Sequence, residues 1–138
     1  MRLLGGREHS RAELQRKLAA HEQEPGQLQR VLDELQAKGF IREERVVESV
    51  LHRRAPRLGA GRIRQELQAK GLAPELVAQA MQQLRSTELE RARAVWARKF
   101  GAPPRDAAER ARQSRFLAAR GFGGDVIAKV LGRARDPE

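Results

Sequence analysis

Leu14 and Leu18 stand four residues apart in a polar stretch, and after Pro25-Gly26 interrupts the chain, Leu28, Val31, Leu32 and Leu35 recur at i, i+3, i+4 and i+7. This period lines apolar side chains along one face of an α-helix. Ser10-Arg11-Ala12-Glu13 has the form of a capping box, in which the serine hydroxyl accepts an orphan amide and the glutamate reaches back. A helix is therefore expected to start there and the next one to end at Gly39, with Met1 to Gly6 forming the tail of an earlier short helix. Val46, Val47, Val50 and Leu51 make the next apolar stripe, which Pro56 and a Gly59-Ala60-Gly61 turn close. Ile63 and Leu67 lead to Gly71, and Pro74 suits the first turn of a helix carrying Leu76, Val77, Ala80, Met81 and Leu84. A third set opens near Thr87 with Leu89, Ala92, Val95 and Trp96, breaks at Pro103-Pro104, resumes through Phe116 and Leu117, and closes with Val126, Ile127, Val130 and Leu131.

The pattern also repeats at long range. Glu66-Leu67-x-x-Lys70 reappears as Glu13-Leu14-x-x-Lys17 and as Phe116-Leu117-x-x-Arg120, at steps of 53 (70 − 17) and 50 (120 − 70) residues. Each step holds about three short helices, the length class of helical repeat units. The chain is thus expected to be all-α: an elongated, curved array of three tandem three-helix, helix-turn-helix-like repeats over residues 1–40, 41–85 and 86–138. Such arrays present a long surface to a large partner and share burial between neighbours. The few aromatics, Phe40, Trp96, Phe100, Phe116 and Phe122, leave the core to Leu, Val and Ala.

Charge narrows the partners. The chain has 28 Lys+Arg against 18 Asp+Glu, a net +10, which attracts polyanions: nucleic acid first, then an acidic protein surface, then an anionic membrane. The excess grows along the chain, with 7 basic and 6 acidic side chains in residues 1–40, 9 and 5 in 41–85, and 12 and 7 in 86–138. Between His52 and Lys70, Arg53, Arg54, Arg57, Arg62, Arg64 and Lys70 face Glu66 alone. These arginines form a candidate strip for phosphates or acidic side chains, against the alternative of a solvated face. Gly59-Ala60-Gly61 reads as a tight turn that needs permissive backbone angles; the alternative is free amides for a phosphate at a helix start. It lacks the Gly-x-x-x-x-Gly-Lys-Ser/Thr pattern of a nucleotide-hydrolysing loop. Lys17, Lys70 and Arg120 stand beside helix ends, where a cation meets the macrodipole favourably. Arg91, Arg93, Arg98 and Lys99 alternate with Ala92, Ala94, Val95 and Trp96 to give one basic and one apolar face. Trp96 fits the core, or else a base stack.

The chain contains no cysteine, so disulfides, thiolate metal sites and thiol catalysis are excluded, in keeping with a reducing compartment. His9, His21 and His52 lack ligand spacing. No Ser-His-Asp pattern or carboxylate pair emerges, and no enzymatic activity or cofactor is expected. No run approaches the roughly 20 apolar residues that span a bilayer, nor is there a signal-peptide core, so a cytosolic protein without membrane attachment is expected.

Three motifs in order carry a resemblance that covers nearly the whole chain: Arg7-Glu8-His9-Ser10 followed by Glu13-Leu14-Gln15-Arg16-Lys17-Leu18; Gly59-Ala60-Gly61-Arg62-Ile63 running through Glu66-Leu67 to Lys70-Gly71; and Phe116-Leu117 through Arg120-Gly121-Phe122. The chain resembles the RecX family, bacterial regulators of the RecA recombinase. It departs from the family pattern at Ile41-Arg42-Glu43-Glu44-Arg45-Val46, where an Asp-rich segment with a Phe is usual, so that helix is expected to start weakly or late. Gly123 replaces a common cap residue, and the first helix of the first repeat would normally begin upstream of Met1.

The resemblance implies a monomer that lies in the groove of a RecA filament on single-stranded DNA and impedes its growth, ATP hydrolysis, strand exchange and coprotease activity, with weak binding to DNA, single-stranded first and double-stranded as the further option. The contact residues expected on this basis are Arg53, Arg54, Arg57, Arg62, Arg64, Lys70, Arg91, Arg98, Lys99, Arg112, Arg115 and Arg120. A general, sequence-independent nucleic-acid-binding module is the competing reading.

Overall fold

The structure, a computed structural model, describes residues 9–132; the helical tail expected over Met1 to Gly6 lies outside them. Eight α-helices follow in order: α1 Arg11–Leu18, continued by one 3-10 turn Ala19–His21, α2 Gln27–Ala37, α3 Glu43–Arg54, α4 Ala60–Ala69, α5 Pro74–Arg85, α6 Glu88–Lys99, α7 Ala107–Ala119 and α8 Gly124–Leu131. They form three tandem units, each around its own small core. Leu14, Leu28, Leu32 and Ile41 make the first core. The stripes of α3, α4 and α5, from Val46 to Leu84, make the second and largest. Ala92, Val95, Leu117, Phe122, Ile127 and Leu131 make the third, with Trp96 and Phe116 packed on its rim.

Local sequence accounts for three of the eight helix starts. The Ser10 hydroxyl accepts from the Glu13 amide at 3.1 Å while the Ser10 amide donates to Glu13 Oε1 at 3.0 Å, completing the capping box. Asp106 caps α7 through Oδ1, which accepts from the Glu109 amide at 2.8 Å. Pro74 occupies the first position of α5. Where the expected caps are missing from the sequence, they are missing from the fold: neither Arg42 before α3 nor Gly123 before α8 offers a side-chain acceptor. Glu44, exposed in the first turn of α3, partly compensates, since an anion there complements the positive end of the helix.

Two relationships differ from the sequence reading. Leu67 and Leu117 sit three residues before the helix-ending Lys70 and Arg120, and each helix then turns through a left-handed glycine, Gly71 at φ 72° and Gly121 at φ 97°. Leu14 instead lies in the first turns of α1, four residues after Ser10. The recurring Leu skeleton is therefore shifted within the first unit. An apolar face repeats at every turn of a helix, so a pattern match sets its phase without setting which turn it occupies.

Gly59-Ala60-Gly61 is not a tight turn. Gly59 has an ordinary extended conformation (φ −80°, ψ 168°) and Ala60 and Gly61 already belong to α4. Their small size serves a close approach. A Cβ on Gly59 would lie 2.4 Å from the Gly121 carbonyl carbon, and one on Gly61 3.0 Å from the Gly121 oxygen. The Gly59 amide donates to Arg120 O at 2.7 Å and the Gly61 amide to Gly121 O at 3.0 Å. Glu88 Oε1 accepts from the Ala60 amide at 3.0 Å.

The first and second units meet in the same way. The start of α1 docks on the end of α4: the Ser10 hydroxyl donates to Lys70 O, Arg16 donates to Ala69 O at 3.2 Å, and Ala12 Cβ abuts Gly71. Each junction thus sets the start of one unit's middle helix against the end of the next unit's.

Candidate nucleic-acid interface

The tertiary structure sorts the expected contact cations by what already neutralises them. Lys70 is buried, with Nζ 3.1 Å from Glu13 Oε2. Arg91 is nearly enclosed: its guanidinium donates to Ala55 O at 3.0 Å, Leu58 O at 2.8 Å and Leu84 O at 3.2 Å, and pairs with Glu88 at 3.1 Å. These two staple the fold and offer nothing to a ligand. Arg53 and Arg54 converge on Glu66, at 4.0 and 3.1 Å. Arg62 reaches across the second junction and donates to Ala119 O at 2.8 Å. Arg53, Arg54, Arg57, Arg62 and Arg64 therefore do not form one strip of free charge. The Gly59 to Gly61 amides are likewise taken by protein acceptors, so that helix start holds no phosphate.

Four of the cations come together elsewhere. Arg57, from the chain between α3 and α4, meets Arg98 and Lys99 at the end of α6 and Arg120 at the end of α7, around an open groove of about 420 Å³ floored by Pro56, Val95 and Phe116. No carboxylate lines it. Arg98 Nη2 donates to Pro56 O at 3.0 Å. Lys99 Nζ lies 5.5 Å and Arg120 Cζ 4.8 Å from the Phe116 ring centroid, within cation–π range. Phe100 holds that ring edge-on, with centroids 5.4 Å apart and an interplanar angle of 87°. Neutral partners thus position three of the cations without cancelling their charge, and Arg57 has no ion-pair partner among the described residues.

Arg64, Arg112 and Arg115 are exposed and lie outside this groove. Arg112 lines a separate, larger cavity of about 1120 Å³ with Phe100, Pro103, Pro104 and Leu131. On its rim the exposed Arg105 fork holds the Glu109 carboxyl at about 2, far below the usual carboxylate range. Trp96 is committed to the third core: its indole N–H donates to Gln113 Oε1 at 2.8 Å. Among the described residues no three His, Asp or Glu side chains cluster as a metal site, and no helix is long and apolar enough to cross a membrane.

Sequence reasoning named all four groove cations but could not group them. It missed Phe116 as their platform, although the Phe116-Leu117-x-x-Arg120 spacing, one helical turn, was a signal that Arg120 lies over the ring.

Models of the first, second and third three-helix domains of RecX match residues 1–35, 43–81 and 86–131. The chain belongs to the RecX family. It is 56% identical over 131 residues to the regulatory protein RecX of Leptothrix cholodnii, covering 95% of this chain and 83% of that one. Regulatory protein RecX of Ralstonia nicotianae is 45% identical over 128 residues, covering 93% and 80%. The fold is shared with the crystal structure of RecX from Lactobacillus salivarius, at a TM-score of 0.77 and 17% identity over 94% of this chain and 88% of that one. A second crystal structure, of regulatory protein RecX, aligns with a TM-score of 0.75 at 19% identity, covering 93% and 67%. In this RecX chain Gly59, Gly61, Gly71 and Gly121 are the junction residues, and Arg120 enters the groove.

Proposed function

We propose that this chain is a cytosolic regulator of the RecA recombinase that binds the RecA filament on single-stranded DNA and lowers its ATP hydrolysis, strand exchange and coprotease activity. Membership of the RecX family, whose relatives are named regulatory proteins, supports the regulatory role. The observation that carries the contact is the groove of Arg57, Arg98, Lys99 and Arg120, where positive charge from two adjacent repeats converges with no carboxylate in the lining. Its action is steric and electrostatic, with no bond made or broken. Arg57 belongs to the second unit and the other three to the third, so the backbone bonds from Gly59 and Gly61 to Arg120 and Gly121 hold the groove's two walls in register.

The test is DNA-dependent ATP hydrolysis by preformed RecA filaments, titrated with this protein in the presence and absence of excess DNA. The expected result is loss of hydrolysis at substoichiometric protein that persists with excess DNA. Inhibition relieved by added DNA would instead favour the general nucleic-acid-binding module, which acts by competing for the strand.

A further inference from the structure

We infer that the Arg57–Arg98–Lys99–Arg120 groove grips the sugar-phosphate backbone of a single nucleic-acid strand and leaves its bases unread. This deepens the reading of the groove as the filament contact. Three observations carry it. First, the groove's polar character comes from cations: three guanidinium groups and one ammonium, donors that meet the phosphate oxygens present at every nucleotide, with no carboxylate, hydroxyl or side-chain amide in the lining to accept from a base amino group. Second, its aromatic is already covered. Phe116 packs against the third core while Lys99 and Arg120 lie over its ring, so a base stacking there would have to displace a cation. Trp96, the chain's one tryptophan, is held by Gln113 against the same core. Third, three of the four cations, Arg98, Lys99 and Arg120, are pre-positioned by neutral groups. A phosphate therefore meets full charge at little ordering cost, whereas at Arg53, Arg54, Lys70 and Arg91 it would first have to displace a carboxylate.

A phosphodiester strand fits this better than an acidic peptide. It carries a charge at every nucleotide along one continuous edge, and successive phosphates engage the row of cations together. The cations line a concavity, which a flexible single strand can enter and a rigid duplex can only bridge.

Fluorescence anisotropy with the full chain, without recombinase, tests the inference. The probes are oligo(dT), an abasic strand of equal length, the matching duplex and a poly-glutamate peptide. Oligo(dT) and the abasic strand are expected to bind within about twofold of each other, because stacking, which is strong per base, contributes nothing. The duplex and the peptide are expected to bind more weakly at equal salt. Each of Arg57→Gln, Arg98→Gln and Lys99→Gln is expected to lower the slope of log affinity against log salt by about 0.7, the share of one phosphate contact on a single strand. Arg53→Gln, whose charge Glu66 already opposes, should leave the slope unchanged. The Arg57 side chain makes no hydrogen bond or ion pair among the described residues, so Arg57→Gln reads the groove without disturbing folding. A roughly tenfold preference for oligo(dT) over the abasic strand would overturn the inference, as would tighter binding of the peptide or duplex, or an unchanged slope in Arg57→Gln. Those failures leave the ATP hydrolysis test standing, because no recombinase is present here.

Discussion

Lys70 Nζ lies 3.1 Å from Glu13 Oε2, and both side chains are buried where the first unit meets the second. Glu13 also closes the capping box of α1, while the Lys70 carbonyl accepts from the Ser10 hydroxyl. A single polar cluster thus starts one helix and holds it against the end of another. Replacing Lys70 with Met takes a charged partner at 3.1 Å away from the buried Glu13 carboxylate. The expected cost is about 3 to 5 kcal/mol, seen as a lower urea midpoint. A loss under about 1 kcal/mol would show that water reaches the pair.

Close packing at the second junction gives a paired prediction. Gly59→Ala sets a methyl group 2.4 Å from backbone atoms of Gly121 and Phe122, which no rotamer can relieve, and is expected to cost at least about 1 to 3 kcal/mol. Gly124→Ala meets nothing within 4 Å and is expected to stabilise by about 0.5 kcal/mol by restricting the unfolded chain. Thermal denaturation of both variants checks the opposite signs.

Glu43 sets a pH dependence. Burial pushes its carboxyl above the ordinary 4.5, against a long 3.5 Å hydrogen bond from the Arg11 amide that lowers it, and the neighbouring Glu44 and Glu13 raise it further. An acid whose folded value is raised binds its proton more tightly when folded. Its contribution is therefore complete below about 4.5 and is lost as pH rises through the folded value. Glu43→Gln is expected to raise stability more at neutral pH than below 4.5, measured by urea unfolding at both. A larger gain on the acid side would contradict the burial of this group.

Gln113 tests the placement of Trp96. Gln113→Ala removes the acceptor of the indole N–H and is expected to cost about 1 to 3 kcal/mol and to shift the emission of the chain's single tryptophan. In the unaltered protein, single-stranded DNA should leave that emission unquenched. Strong quenching at saturation would place a base against the ring.

Much of the fold was legible in the order of residues. Apolar phase, the Ser10 capping box, Pro74 at a first helical position and the left-handed glycines at Gly71 and Gly121 all act between residues a turn or two apart. Such relations are properties of the chain segment itself, so the all-α class, the three units and the family motifs could be read directly. The fate of each cation could not. Arg91, Arg98 and Lys99 share one helix, yet Arg91 is locked among three carbonyls and a carboxylate while Arg98 and Lys99 face the groove. Lys70 is neutralised by Glu13, which is 57 residues away, and Gly59 needs to be small because Gly121 packs against it. The sequence by itself determined which residues share a helix face. Only the tertiary structure decided which charges remain available and why the glycines are there, because neutralisation and close contact act through space between units that the chain separates by a whole repeat.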